Sequence, residues 1–116
     1  MATPSNPADQ IKTWLASQEG SMLALLETLV NTDSGSYDKA GVDRVGELLK
    51  AHFASVGLET ATQPHATYGE AITATLRHPT ANDQRPIVLM GHRDTVFPQG
   101  EAGRRPFTVR EGIAHG

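Results

Sequence analysis

The sequence predicts an α/β fold in which N-terminal helices pack on a mixed sheet. Three observations carry this. Apolar residues recur at spacings of three and four between Ile11 and Val56. Past Gly57 the period changes, and Ala71-Ile72-Thr73-Ala74-Thr75-Leu76 alternates apolar residues with threonine, as a strand with one buried face should. Finally, Ile87-Val88-Leu89-Met90 is apolar without alternation, the pattern of a central strand covered on both faces by helices. Burial of each such side chain contributes about 1.5–3 kcal/mol, so this strand is expected to anchor the core.

The elements follow in order. Residues 1–5 are expected to be disordered, and residues 6–116 to form the folded unit. Asn6 suits an N-cap, Pro7 the first helical position and Asp9 the positive end of the helix dipole. Ile11, Trp14 and Leu15 form the apolar face of this first helix, and Gly20 is expected to interrupt it. Met22, Leu25, Leu26, Leu29 and Val30 mark a second helix. The run Asn31-Thr32-Asp33-Ser34-Gly35-Ser36 is a loop by composition. It matches neither glycine-rich phosphate-binding pattern and reads as a polar connector. Asp38 caps a third helix whose face is Val42, Val45, Leu49, Phe53 and Val56, with Gly57 placed for the left-handed position after its end. Strands are expected at Leu58–Thr62 and Ala71–Leu76, then a polar turn from His78 to Gln84 that Pro79 keeps irregular. Gln99–Arg105 reads as a surface loop, and Phe107–Val109 with Ile113–His115 as a hairpin turning at Glu111-Gly112.

Composition narrows the function classes. The chain has 116 residues, 38% hydrophobic and 20% charged, which fits a globular domain. A domain of that size buries roughly 65% of its unfolded surface. A net charge of −3 gives no basic patch for nucleic acid or an anionic membrane. With no cysteine there is neither a disulfide framework nor a thiolate metal site, so any zinc must be held by His, Asp or Glu. The polar N-terminus lacks the form of a secretory signal, and no apolar run is long enough to span a bilayer. A cytoplasmic protein is expected.

The chemistry concentrates at Gly91-His92-Arg93-Asp94-Thr95-Val96. Residues i and i+2 of a strand share a face, so His92 and Asp94 should point the same way. A carboxylate on the second nitrogen of an imidazole fixes its tautomer and orientation and raises its basicity as a metal ligand. This tip reads as half of a metal site. His92-Arg93-Asp94 also imitates the start of a kinase catalytic loop, but Thr95 stands where leucine is required and no asparagine follows in place. A serine-hydrolase elbow is absent as well. His52 is expected to be a half-buried packing residue. His65, His78 and His115, and the pair Arg104-Arg105, read as solvated positions.

Gly91-His92-Arg93-Asp94-Thr95-Val96-Phe97-Pro98 resembles the first metal motif of the M20 family of zinc peptidases, in its glutamate carboxypeptidase-like branch. Leu29–Val42 upstream, and Pro106–Val109 through Ile113–Gly116 downstream, resemble the neighbouring segments of that branch. The resemblance implies the N-terminal portion of a zinc-peptidase catalytic domain, with His92 as a metal ligand and Asp94 as the catalytic aspartate that braces it. It implies two zinc ions in the complete enzyme, with the bridging aspartate, the glutamate base and the further ligands encoded beyond Gly116; a nitrogen/oxygen site of this kind also accepts other divalent metals such as cobalt or manganese. It also implies hydrolysis of an amide or peptide bond next to a carboxyl-terminal amino acid, in a peptide or N-acyl amino acid. This chain alone is then expected to be inactive, and a homodimer to be compatible only with the complete enzyme. The alternative is a non-catalytic α/β scaffold or binding module from a truncated gene.

Overall fold

A computed structural model describes residues 6–79 and 85–116. The disorder expected of residues 1–5, and residues 80–84 of the expected turn, fall outside the described residues. The fold is α/β: the described residues form four helices and two antiparallel two-stranded sheets, with an isolated parallel bridge between Gly35 and Thr95. Among the described residues no helix is long and apolar enough to cross a membrane.

Helix α1 (Pro7–Ser17) begins as its sequence dictates, with the Asn6 side chain accepting from the Ala8 amide at 3.1 Å. The break between α1 and α2 (Glu19–Val30) falls at Gln18, not at Gly20, which sits inside the first turn of α2. Ser17 Oγ donates to the Trp14 carbonyl at 2.6 Å and the Gln18 amide donates to Leu15 at 3.0 Å. These bonds close α1 with a tightened final turn, so hydroxyl chemistry rather than glycine flexibility ends it. Helix α3 (Lys39–Ser55) is capped by Asp38, which accepts from the Gly41 amide at 2.9 Å. It closes with Gly57 at φ +85°, the Gly57 amide on the Ala54 carbonyl and the Leu58 amide on that of Phe53. That double bond is a Schellman closure, which requires the left-handed residue glycine supplies.

Strands β1 (Glu59–Gln63) and β2 (Ala71–Thr75) pair with Ala61 opposite Thr73, and α3 packs on this hairpin. The core is small and lies under the first half of α3, where Val42, Val45, Gly41 and Gly46 are buried beside Ser34 and Gly35. The glycine at 46 is a space requirement, since a Cβ there would approach Ile72 Cδ1 to 2.8 Å. The far half of the expected α3 face stays open, with Val56 exposed, and His52 is exposed beside the Phe53 ring rather than half-buried. Short helix α4 (Glu101–Arg104) occupies the expected loop. Strands β3 (Thr108–Arg110) and β4 (Ile113–His115) form the expected hairpin, turning through Glu111 and Gly112, both at positive φ.

The expectation for Ile87–Met90 is overturned. These residues form no strand, and Ile87, Leu89 and Met90 are more than 90% exposed. They face β2 across a cleft of about 530 Å³ lined by Ile72–Leu76 and Pro86–Gly91. An apolar run is buried only if ladder partners and covering faces surround it, and among the described residues neither does. Stability measurements separate the observed core from the expected one: Val45→Ala is expected to cost about 2 kcal/mol, and Leu89→Ser less than about 0.5 kcal/mol. Urea unfolding of both variants checks this, and equal costs would contradict the buried position assigned to Val45.

Candidate metal-ligand site

Segment 91–98 reaches its place through the loop 31–36. The Thr95 amide donates to the Ser34 carbonyl at 2.8 Å, and the Ser36 amide donates to the Thr95 carbonyl at 2.9 Å. Gly35 lies between them so close to the other chain that a Cβ would sit 2.5 Å from the Phe97 carbonyl oxygen. The side chains of the loop extend the grip. Asp33 accepts from the amides of Gly100 at 2.7 Å and Ala102 at 3.0 Å, and Asn31 Oδ1 accepts from Phe107 at 2.8 Å. The polar connector of the sequence is therefore the clamp that holds the site segment.

At the tip, His92 Nδ1 lies 3.2 Å from Asp94 Oδ1 and 2.9 Å from the Asp94 carbonyl oxygen. The two side chains meet on one side of the chain, as their spacing suggests. The imidazole is 84% exposed and the carboxylate 42%. Both contacts of Nδ1 are to oxygens that can only accept, the arrangement suited to a ring that carries its hydrogen on Nδ1 and leaves Nε2 clear of them. Arg93 projects the opposite way. Its Nε donates to the Val42 carbonyl at 3.0 Å, and its terminal nitrogen donates to the Glu70 carbonyl. The Glu70 amide in turn donates to Asp43 Oδ1 at 2.8 Å, and Asp43 pairs with Lys39 at 2.8 Å.

Sequence reasoning missed Ser36, whose Oγ donates to Asp94 Oδ2 at 2.6 Å. It also missed the anchoring role of Arg93. The available signal was the density of short polar side chains in the loop, each able to bond a backbone group. The hydroxyl of Ser36 is the main cause that holds the Asp94 carboxyl below its ordinary 3.8; partial burial opposes it, and His92 adds to the lowering. Asp33 is lowered chiefly by the Ala102 and Gly100 amides, and Asp43 chiefly by Lys39 and the Glu70 amide.

The positions read as solvated are exposed, and several of them also have partners. Arg105 is not a free loop cation: it pairs with Glu101 at 2.8 Å and its guanidinium lies 4.2 Å above the Phe97 ring. His65 accepts from the Thr67 and Tyr68 amides through Nδ1 and so closes a turn. His115 lies in β4, exposed. Among the described residues no three His, Cys, Asp or Glu side chains gather at a point that could hold a metal. The donor set therefore fits one braced imidazole ligand and not a whole zinc site.

The relationship that comparison with known proteins finds is to a hydrolase, and it is distant. One relative is carboxypeptidase G2 of Pseudomonas sp. (strain RS-16), 27% identical over 101 residues. The alignment covers 85% of this chain and 24% of that protein, so the chain spans about a quarter of the length of the curated relative it matches. No protein-family model matches the chain.

Gly35→Ala forces the clamp apart and is expected to destabilise the fold by about 1–3 kcal/mol, measured by thermal unfolding. The lowered carboxyls of Asp33, Asp43 and Asp94 set the acid limb. Each binds its proton less readily folded than unfolded, so its contribution is complete above the ordinary 3.8 and is lost as pH falls through the lower folded values. Urea midpoints should hold steady from roughly pH 7 to 5 and fall below about pH 4, with a shallower fall in Asp33→Asn.

Proposed function

We propose that the chain is the N-terminal part of the catalytic domain of a zinc-dependent hydrolase. Its reaction would be cleavage of an amide or peptide bond next to a carboxyl-terminal amino acid, in a peptide or N-acyl amino acid. The observation that carries this reading is the outward imidazole of His92, braced at Nδ1 by Asp94, at the position where the M20 resemblance puts a metal ligand. The distant relationship to a carboxypeptidase supports it.

Zinc, when bound at such a site, supplies a Lewis acid that activates water and polarises the scissile carbonyl. His92 would hold it through Nε2. Asp94 fixes the ring and its tautomer. Arg93 ties the backbone between them to α3 and to Glu70, so the imidazole is presented from a fixed base. A catalytic zinc takes three protein ligands, and among the described residues this reading finds one, His92. The activity is therefore assigned to a polypeptide that carries the remaining donors.

A second reading is a non-catalytic α/β binding module, favoured by the lack of a three-donor cluster among the described residues. Two measurements decide between them. Calorimetric titration of this chain with zinc is expected to give a Kd weaker than ~1 μM, because one imidazole is a fraction of a complete site. In a polypeptide extended by its downstream coding sequence, hydrolysis of N-acyl glutamate should be abolished by a chelator. There Asp94→Ala should lower activity roughly 10–100-fold. An extended polypeptide that neither binds zinc nor hydrolyses such substrates would leave the module reading in place.

A further inference from the structure

We propose that Ser36 is a positioning residue for His92 and acts through Asp94. The inference deepens the hydrolase reading and takes its purpose from it, but its geometry stands apart from any reaction.

Ser36 Oγ has one hydrogen and two acceptors within reach: Asp94 Oδ2 at 2.6 Å and the Thr95 carbonyl at 3.1 Å. The shorter contact lies in the range of charge-assisted hydroxyl–carboxylate bonds, so the hydrogen goes to Asp94. The hydroxyl is itself fixed in place. The Ser36 amide is bonded to Thr95, and the neighbouring Gly35 forms the parallel bridge with Thr95. The donor is thus set by backbone pairing and does not follow the carboxylate.

The carboxylate needs such a tie. It is 42% exposed, and a half-exposed aspartate with one partner turns freely about its last torsion. Tying Oδ2 to Ser36 turns the carboxylate plane so that Oδ1 meets His92 Nδ1 at 3.2 Å. The chain of contacts runs from Ser36 through Asp94 to His92, and its first link joins residues 58 apart in the sequence. Without it the ring keeps only the Asp94 carbonyl as partner on Nδ1. That bond does not hold the carboxylate beside the ring, and the population with a bare Nε2 falls.

The test reads the tautomer of His92 directly. Long-range proton–nitrogen spectra of the labelled chain at neutral pH, with the His92 signals assigned by His92→Gln, report which ring nitrogen carries the hydrogen. Wild type is expected to hold the hydrogen on Nδ1. Ser36→Ala should lower the ratio of Nδ1–H to Nε2–H forms at least threefold, and Ser36→Thr, which keeps the hydroxyl, should restore it. Ser36→Cys, close in size but a weak donor, should behave like alanine and serves if the alanine variant fails to fold. A purely structural role would shift the unfolding midpoint of Ser36→Ala and leave the tautomer ratio unchanged; that result overturns the proposal. A tautomer ratio that follows the hydroxyl, in a chain whose extended form never binds zinc, supports the positioning role while removing the hydrolase reading.

Discussion

The structure depends on one backbone contact, the parallel bridge that lays Gly35 against Thr95. It joins segments some sixty residues apart, and the entropy of closing so long a loop grows only slowly with its length. What the pairing lacks in extent it gains from side chains. Asn31, Asp33 and Ser36 each accept from, or donate to, groups between Asp94 and Phe107. Short polar side chains here take the place of a sheet ladder. They satisfy amides that would otherwise have no partner within the fold.

From that contact the site follows by alternation. In an extended stretch successive side chains point to opposite sides, so a tripeptide fixed at its far end presents His92 and Asp94 one way and Arg93 the other. The outward pair keeps contact with water, the imidazole most of all, so the cost of desolvating it is limited. The inward guanidinium reaches the carbonyl of Val42 in α3 and that of Glu70 just ahead of β2. A planar fork with several donors suits two carbonyls on different elements, and a lysine could not serve both in the same geometry.

Local chemistry was legible in the sequence and distant chemistry was not. Asn6, Asp38 and Gly57 begin and end helices where their side chains or backbone freedom require, because a cap is settled within five residues. The β3–β4 turn at Glu111-Gly112 and the meeting of His92 with Asp94 are local in the same sense. The roles of Ser36 and Asp33 are not legible in the sequence because their partners lie far along the chain, and nothing in a polar loop names the group it will meet. Ile87–Met90 failed for the complementary reason. An apolar run states a preference for burial, but burial is a property of neighbours, and the described fold supplies none. Gly20 shows that a permissive residue does not by itself break a helix, whereas Ser17 and Gln18 do so by bonding backwards.

Core and site are not separate compartments in this fold. Val42 buries its side chain in the small hydrophobic centre while its carbonyl accepts the Arg93 guanidinium. Gly46, one turn further along α3, leaves room for both Ile72 and Arg93, since a Cβ there would crowd the two together. A core change that shifts the first half of α3 by a few tenths of an ångström therefore moves the acceptor of Arg93. With it moves the base from which His92 is presented. The clamp at Gly35 and Ser36 holds the other end of the same tripeptide. The direction of the imidazole is thus fixed by two supports that share no residue, so loss of either leaves the ring attached but unaimed. That division explains how a fold with so little buried surface can still present one side chain in one orientation.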